Sequence, residues 1–274
     1  MPAPLDPIIA AHYALGEEGT RLGGPDSPTV EALRTRVLLS RYLPDPPAVV
    51  LDVGGATGVY ALPLARLGYE VHLIDPWPGH VEEAARGSAA QPESPLASAQ
   101  VGDARYLPAA DGKVDAVLLF GPLYHLITRE DRARASAEAV RVLRLGGVIM
   151  AAAVSRFAST YDGIRRGYVA DPDVEVLVEG VLADGVHRNL DPVAHPCWFT
   201  LAYFHRPEEL RSELETAGFS SVEVVPVEGP GGFQGGIDLS DDLRRAAVLR
   251  AIERVEAEPS LLGASGHLMG IGVR

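Results

Sequence analysis

The chain has 274 residues, of which 47% are apolar, and its 37 acidic against 24 basic side chains give a formal net charge of -13. This balance repels polyanions, so DNA and RNA are disfavoured as partners and small molecules are favoured. No stretch is long and apolar enough to span a membrane, the N-terminus lacks a secretory signal pattern, and a single cysteine excludes an internal disulfide framework. We therefore expect a cytoplasmic protein with no nucleic-acid or membrane partner, whose oligomeric state the sequence does not indicate.

The first 47 residues predict a helical cap. Helical character extends over residues 8–43, with a Gly- and Pro-rich interruption at 23–28. The prolines at 44–47 end this region, because proline cannot continue a helix and disfavours helix in the residue before it.

The stretch Val49–Gly58 organises the chain. Its apolar run suits a parallel strand covered on both faces, and the glycines after it allow a sharp turn and close approach of a ligand. Ligands bind at this end of the strands in open α/β sheets. The dinucleotide fingerprint G-x-G-x-x-G fails, because Ala56 and Val59 stand where it needs glycines, and no Lys-Ser or Lys-Thr pair completes a phosphate loop.

Strands and helices then alternate. Further strands are predicted at 69–75, 97–101, 114–120 and 147–154. This order indicates an α/β protein with a doubly wound, mostly parallel sheet. Asp75 ends the second strand about 20 residues after the Gly turn, where such a fold places a carboxylate that accepts ribose hydroxyls.

Residues 155–203 interrupt the alternation and predict an inserted helical lid that forms the substrate segment. Helices are expected at 155–169 and 174–182, and a polar loop at 187–198. An insertion after the fifth strand lies over the carboxyl ends of the strands, where a lid would sit. The alternation then resumes with a helix to Gly218, a strand at 222–227, a helix at 241–258 and a last strand at 267–273.

The combination resembles the class I S-adenosylmethionine-dependent methyltransferases of the small-molecule type. The resemblance covers residues 49–154 and rests on D-x-G-G-x-x-G after the first strand, Asp75, Gly102-Asp103-Ala104, Gly121–His125 and the Leu-Arg-Leu-Gly-Gly turn at 143–147. It implies a Rossmann-like sheet whose last strand is antiparallel and lies beside the sixth, with the helix at 241–258 as an addition. It also implies a single methyltransferase domain over residues 1–274, S-adenosylmethionine as cofactor and S-adenosylhomocysteine as product.

The resemblance places a cofactor site at the strand ends. Asp52 would steer the ammonium group, Asp75 would accept the ribose hydroxyls, and Asp103 with Ala104 would recognise the adenine edge. Glycines would frame the methionine portion. The implied cofactor-binding residues are Arg21, Asp52, Gly54, Gly55, Gly58, Asp75, Asp103, Ala104, Phe120 and Gly121.

Other residues are candidates for the cofactor tail and the acceptor. Arg21 is expected to bind the cofactor carboxylate bidentately, and a surface salt bridge is its alternative role. His125 follows the fourth strand and is the leading general base, with orientation of the substrate as the competing role. No metal is expected, because the histidines do not have tight ligand spacing on one element. Amphipathic residues predicted to line the acceptor pocket are Tyr13, Tyr124, Trp198, Tyr203 and His205.

The expected activity is in-line transfer of a methyl group to an oxygen, nitrogen or carbon atom of a small molecule. Two alternatives stay open. A relative that binds the cofactor without transferring methyl groups, as a sensor or scaffold, would have the same cofactor site. A nicotinamide-dependent oxidoreductase is disfavoured by the missing fingerprint. The acceptor itself cannot be identified from these residues.

Overall fold

The computed structural model describes residues 5–16, 18–24, 27–233 and 239–274. The helices are α1 (Pro7–Tyr13), α2 (Glu18–Arg21), α3 (Val30–Tyr42), α4 (Ala61–Arg66), α5 (Pro78–Ala89), α6 (Pro122–His125), α7 (Arg129–Val142), α8 (Ala158–Arg166), α9 (Pro172–Asp184), α10 (Pro207–Ala217) and α11 (Asp242–Glu253). The strands are β1 (Gly23–Gly24), β2 (Ser27–Pro28), β3 (Val49–Val53), β4 (Glu70–Asp75), β5 (Ser98–Val101), β6 (Val114–Phe120), β7 (Leu143–Ser155), β8 (Val186–Arg188), β9 (Leu201–His205), β10 (Ser220–Pro226) and β11 (His267–Val273). Short 3-10 turns cover Pro196–Trp198, Gly229–Phe233 and Pro259–Leu261.

One large sheet organises the described residues. Its main path runs in the order β10-β11-β7-β6-β3-β4-β5. Strand β3 pairs in parallel with β4 and β6, β4 with β5, and β6 with β7, whereas β11 lies antiparallel between β10 and β7. This confirms the predicted Rossmann-like, mostly parallel sheet with an antiparallel last strand, and it makes α11 an addition before that strand.

The centre of the sheet is buried on both faces because β3 is almost continuously apolar. Leu51 and Val53 pack into the core on one face, and Val50 packs into the core on the other. Such alternation follows from the two-residue period of a strand. Each fully buried Val or Leu side chain contributes roughly 1.5–3 kcal/mol relative to exposure. The same burial excludes water from the strand that carries the Gly turn.

The position of the site follows from the strand order. The chain runs from β3 to β4 on one side and later places β6 on the other side of β3. In an open α/β sheet the crevice at the carboxyl ends of the strands, at such a switch point, is the place where ligands bind.

The segment 155–203 is less helical than predicted. It contains α8 and α9, but β8 overlaps the start of the expected polar loop and pairs antiparallel with β9. Strand β9 in turn extends the sheet beside the end of β7. Two stacked rings hold β8 against β9: the His187 ring is buried and stacks on Phe204 with centroids 4.8 Å apart. The local sequence pattern does not reveal this contact.

The boundary between α7 and β7 also differs from the sequence prediction. The strand begins at Leu143 rather than at residue 147, because Leu143 is fully buried and already pairs with Val114 in β6. Among the described residues, no helix is both long and apolar enough to cross a membrane.

Candidate active site

The carboxyl ends of β3, β4, β5 and β6 open into one cavity of about 560 Å³, the first cavity. Asp52, Asp75 and Asp103 all lie in its wall, so the three predicted acids share a single site. Gly58 lies behind this wall in the turn, where its N–H donates to the Gly55 carbonyl at 2.9 Å. The other predicted residues in the wall are Tyr13, Arg21, Gly54, Gly55, Ala104, Phe120, Gly121, Tyr124 and His125.

The glycines after β3 let the backbone pass close to β6. Gly54 has φ +76°, and a Cβ there would lie 2.4 Å from the Phe120 carbonyl oxygen. A Cβ on Gly55 would lie 2.7 Å from Oδ2 of Asp52. Any larger residue would therefore displace either the end of β6 or the Asp52 carboxylate, and both border the cavity.

Asp52 is a buried carboxylate without a partner. Its side chain is fully buried, and neither oxygen has a hydrogen-bond partner in the part of the chain that the structure describes. Burial, followed by repulsion from Asp75, raises the pKa of Asp52 to about 7. A buried charge is costly unless it is paired, so this carboxylate fits a cationic ligand group.

Asp75 holds the turn that forms the cavity floor. Its carboxylate accepts hydrogen bonds from the backbone N–H groups of Ala56 and Trp77, both at 2.9 Å, and lies 3.1 Å from Nδ1 of His80. Ala56 has a positive φ of 46°, a strained conformation for a residue with a Cβ. Carboxylate oxygens accept several hydrogen bonds each, so Asp75 can still accept from ligand hydroxyls.

Asp103 is already paired within its own loop. Arg105 binds it through Nε and Nη2, the latter at 2.6 Å, and Arg105 also reaches Asp131 at 3.1 Å. The sequence prediction did not include this pairing. It leaves the wall residue Ala104 and the remaining lone pairs of Asp103 for the expected adenine edge.

His125 is bound by the N-terminal helix. The Tyr13 hydroxyl lies 2.5 Å from Nε2 of His125, and the Tyr13 ring packs edge-on against His80 with centroids 4.9 Å apart. Burial, followed by repulsion from His12, lowers the pKa of His125 to about 3, and burial raises the pKa of Tyr13. The neutral imidazole therefore accepts the hydrogen bond that the phenol donates. This arrangement favours the positioning role of His125 over the role of a base.

A second cavity of about 860 Å³ adjoins the first. Its wall comes largely from α8, α9 and residues 196–199, so the inserted segment 155–203 lines this cavity and not the first. Trp198 lies in this wall and stacks on His195 with centroids 4.1 Å apart. Residues that line both cavities are Tyr13, Glu18, Arg21, Glu31, Tyr124 and His267.

Tyr203 and His205 lie outside the walls of both cavities, which corrects their assignment to the acceptor pocket. His205 is fully buried, and its Nε2 lies 3.2 Å from Glu213. The guanidinium of Arg132 pairs with the same Glu213 and lies 3.6 Å from the centre of the Tyr203 ring. The two aromatic residues therefore belong to a buried ionic network behind the site.

Arg21 lines both cavities and is paired at the same time. Its Nη1 donates to Oε2 of Glu31 at 2.8 Å, and its Nε donates to Glu18 at 3.1 Å. The side chain is 36% exposed, so the guanidinium is accessible from the cavities while it binds two protein carboxylates.

A cluster of Glu31, Glu228 and His267 lies in the wall of the second cavity and was missed by the sequence prediction. One ligand atom of each lies within 4.8 Å of the others, a spacing that a metal ion could use. These atoms are already paired internally, since His267 binds Glu228 and Glu31 binds Arg21. We therefore do not assign them as metal ligands. The signal that could have found them is the antiparallel last strand, because its first residue lies at the same sheet edge as the Gly turn.

Comparisons with known proteins agree with this geometry. Residues 50–147 match the family model described as a methyltransferase domain. A methyltransferase from Mesorhizobium loti has a similar structure, with TM-score 0.58 and 14% identity over 90% of this chain and all of that one. Geranyl diphosphate C-methyltransferase from Streptomyces coelicolor, solved with S-adenosyl-L-homocysteine, has TM-score 0.53 and 13% identity over 88% of this chain and 78% of that one. The cyclase SpnF has TM-score 0.54 and 21% identity over 89% of this chain and 81% of that one. No curated protein sequence matches the chain.

Residues 50–147 thus match a methyltransferase domain model, and the fold is that of S-adenosylmethionine-dependent methyltransferases. The cofactor of this class is S-adenosylmethionine. The unpaired Asp52 carboxylate and the glycine backbone beside it fit the cationic amino-acid end of that cofactor.

Proposed function

We propose that this protein moves a methyl group from S-adenosylmethionine to an oxygen, nitrogen or carbon atom of a small molecule held in the second cavity. The observation that carries the proposal is the wall common to the two cavities, which includes Tyr13, Tyr124 and His267. A methyl donor bound in the first cavity and an acceptor bound in the second would contact each other beside these shared residues. The net charge of -13 supports a small acceptor over a polyanion.

The cofactor residues have distinct roles in this proposal. When bound, the cofactor supplies a methyl group on a cationic sulfur that is a good leaving group. Asp52 holds the ammonium group, Asp75 accepts from the ribose hydroxyls, and Arg21 exchanges Glu31 for the cofactor carboxylate. Gly54 and Gly55 allow the backbone to approach.

The remaining contribution of the chain is positioning. Holding two reactants in line can contribute up to roughly 7–11 kcal/mol in favourable cases. Helix α1 and the loop after β6 are joined by the Tyr13–His125 hydrogen bond at the common wall. The segment 155–203 forms the outer wall of the second cavity, and we propose that it encloses the acceptor as a lid.

Two measurements on the purified protein test the proposal. Calorimetry with S-adenosylhomocysteine should detect binding to wild type and to Asp115→Asn, and much weaker binding to Asp52→Asn. Asp115 is a suitable control, because it supports the start of β3 through the Val49 N–H and lies outside both cavity walls. Incubation with methyl-labelled cofactor and fractionated small-molecule extract should then yield a labelled product by mass spectrometry.

The outcomes separate the alternatives. Binding without any labelled product would support a sensor or scaffold and would contradict the transferase proposal. Absence of S-adenosylhomocysteine binding together with a spectral response to reduced nicotinamide would favour the oxidoreductase alternative.

A further inference from the structure

One histidine lies where the two cavities meet. His267 begins β11 and belongs to the walls of both cavities, and its side chain is 26% exposed, so a ligand can reach the ring. Nδ1 of His267 lies 2.5 Å from Oε1 of Glu228. Oε2 of Glu228 accepts hydrogen bonds from the Ser265 hydroxyl and from the His267 backbone N–H, both at 2.9 Å. Because Nδ1 faces this fixed carboxylate, the Nε2 edge of the ring faces away from it.

The neighbouring charges keep the His267 ring protonated at neutral pH. Burial lowers its pKa, but the carboxylates of Glu31 on α3 and Glu228 after β10 outweigh both burial and the opposing charge of Arg21 on α2, and they raise this pKa to about 9. Nδ1 also lies 3.8 Å from Oε2 of Glu31, so this acid stays beside the ring if Arg21 turns to the cofactor carboxylate. An imidazolium donates hydrogen bonds from both nitrogens, so His267 offers a cationic Nε2–H to a ligand.

Two other histidines of the walls are poor bases as well. Burial, followed by repulsion from His12, lowers the pKa of His125 to about 3, and its Nε2 is already bound by the Tyr13 hydroxyl. Burial lowers the pKa of His187 to about 4, and its Nδ1 lies 2.8 Å from the Thr200 carbonyl oxygen. An acceptor that must lose a proton therefore finds no ready base among these three histidines, whereas a carboxylate is ionised at neutral pH without one.

Helix α8 adds positive charge to the second cavity. Arg165 and Arg166 both line this cavity, and both pair with the single carboxylate of Asp162, at 2.6 and 2.9 Å. The described residues of the wall include four cations and four acids, namely Arg21, Arg165, Arg166 and protonated His267 against Glu18, Glu31, Asp162 and Glu228. The wall is therefore balanced in charge although the whole chain has a formal net charge of -13, so an anion is repelled less by this cavity than by the protein as a whole.

We propose that His267 binds a carboxylate of the methyl acceptor through Nε2–H, and that the protein converts this acid to its methyl ester. This inference rests on the proposed function and narrows the acceptor to organic carboxylates. Nε2–H donates to one carboxylate oxygen and leaves the other oxygen as the nucleophile. That oxygen forms the bond to the methyl carbon, the carbon–sulfur bond breaks, and its electron pair stays on sulfur. No proton moves in this step, so the step needs no base.

The rest of the second cavity fits the body of such an acid. Its wall offers Tyr124, Trp198 and Phe199 beside Val154 and Leu177, so an aromatic or apolar group is suited to it. The acceptor that this wall favours is therefore an apolar acid whose carboxylate reaches the junction of the two cavities at His267.

The binding test compares 3-phenylpropionate with 3-phenylpropanol, which has the same apolar body and no charge. The full chain, saturated with S-adenosylhomocysteine, is titrated with each probe by calorimetry at about pH 7.5, where a carboxylic acid is ionised. Wild type should bind the acid more tightly than the alcohol. His267→Gln keeps a hydrogen-bond donor and loses the charge, so it should weaken the acid about tenfold and leave the alcohol unchanged. The control is His72→Gln, because His72 pairs with Glu70 at 3.2 Å on β4 outside both cavity walls, and this variant should bind both probes as wild type does.

The pH dependence of binding separates the charge of His267 from a structural role. Affinity for the acid in wild type should hold at neutral pH and fall as pH rises through about 9, where His267 loses its proton. Glu228→Gln should move that fall towards neutral pH, because Glu31 alone is left to favour the proton against Arg21. Nuclear magnetic resonance of the empty protein should show the same change in the titration of the His267 ring. A structural role would weaken the acid equally at every pH.

The chemical test uses the labelled products formed from methyl-labelled cofactor and small-molecule extract. Mild base should release labelled methanol from them, because methyl esters hydrolyse under these conditions and methyl ethers and methylamines do not. Label that stays bound in base would sustain the proposed function and overturn the carboxylate inference.

The other outcomes are equally definite. Equal affinity for the acid in wild type and His267→Gln, or no binding of the acid to wild type, would overturn the inference. Binding of the acid that requires added Mg²⁺ and disappears with a chelator would replace it with a metal site. S-adenosylhomocysteine binding, measured in the same samples, reports on the proposed function separately, because recognition of the acid can fail while the cofactor still binds.

Discussion

The Tyr13 hydroxyl and Nε2 of His125 lie 2.5 Å apart, and this hydrogen bond ties the N-terminal helix to the loop after β6. Tyr13 also packs on His80, which in turn lies 3.1 Å from the Asp75 carboxylate. Helix α1 is thereby linked to the loop after β6 and, through His80, to the end of β4. The predicted cap is thus connected to the residues expected to bind the cofactor.

Tyr13→Phe should loosen this connection. Losing one hydrogen bond of this kind costs about 0.5–1.5 kcal/mol, so S-adenosylhomocysteine should bind several-fold more weakly while the overall fold is retained. Tyr42→Phe is the control, because it removes a phenol bonded to Glu223 on the surface and away from both cavities. Calorimetry on the two variants measures this, and equal affinities for S-adenosylhomocysteine would show that the Tyr13–His125 hydrogen bond does not support cofactor binding.

Neither Tyr13 nor His125 should titrate near pH 7. The pKa of His125 is near 3 and that of Tyr13 is raised by burial, so both stay neutral around pH 7. Any change of the reaction rate with pH near neutrality should therefore persist in the His125→Gln variant. A pH–rate profile of that variant checks this, and loss of the neutral inflection would restore His125 as the base.

Asp52→Asn should weaken cofactor binding and make the empty protein more stable. The ordinary pKa of the Asp52 carboxyl is 3.8, and burial in the fold raises this pKa to about 7. The protonated carboxyl therefore stabilises the fold fully below pH 3.8, and this contribution to the free energy of unfolding is lost as pH rises through 7. At about pH 8 the empty variant should unfold with a free energy on the order of 1–3 kcal/mol higher than wild type, with little difference at about pH 4. Denaturant unfolding at the two pH values measures this.

The same substitution should remove a pH dependence from cofactor binding. In wild type the ammonium group requires the ionised carboxylate, so affinity for S-adenosylhomocysteine should fall as pH drops below about 7. Calorimetry should show weak binding to Asp52→Asn that does not change over this range. An equally steep pH dependence in the variant would mean that another group controls binding.

Asp75→Asn should weaken S-adenosylhomocysteine by on the order of 1–3 kcal/mol. The amide nitrogen cannot accept a hydrogen bond, so either the Ala56 N–H or a ribose hydroxyl loses its partner. Asp115→Asn removes a comparable acceptor from the Val49 N–H at the start of β3. Equal cofactor affinity in both variants would argue against a ribose role for Asp75.

The sequence predicted the parts of the site that depend on strand ends. Apolar runs define β3 and β4, and parallel strands necessarily bring Asp52 and Asp75 to the same edge. Glu228 and His267 were missed because they are 39 residues apart and meet only through an antiparallel strand. Local aromatic composition could not show that Tyr203 packs on Arg132, since the side of a strand that faces a cavity depends on tertiary packing.

Gly54→Ala should separate steric exclusion from backbone strain. A Cβ at this position would lie 2.4 Å from a backbone oxygen of β6 and 2.7 Å from Cδ of Pro122, in addition to the cost of a positive φ. Gly167→Ala is the matched control, because Gly167 has φ +80° and open space around it. The control should lose about 1–2 kcal/mol from backbone strain and still bind S-adenosylhomocysteine. Gly54→Ala should lose more stability than the control and fail to bind S-adenosylhomocysteine, because the wall of the first cavity must move to make room for the alanine side chain. Thermal unfolding and calorimetry on both proteins measure the difference, and equal losses would show that the close approach to β6 does not shape the cofactor site.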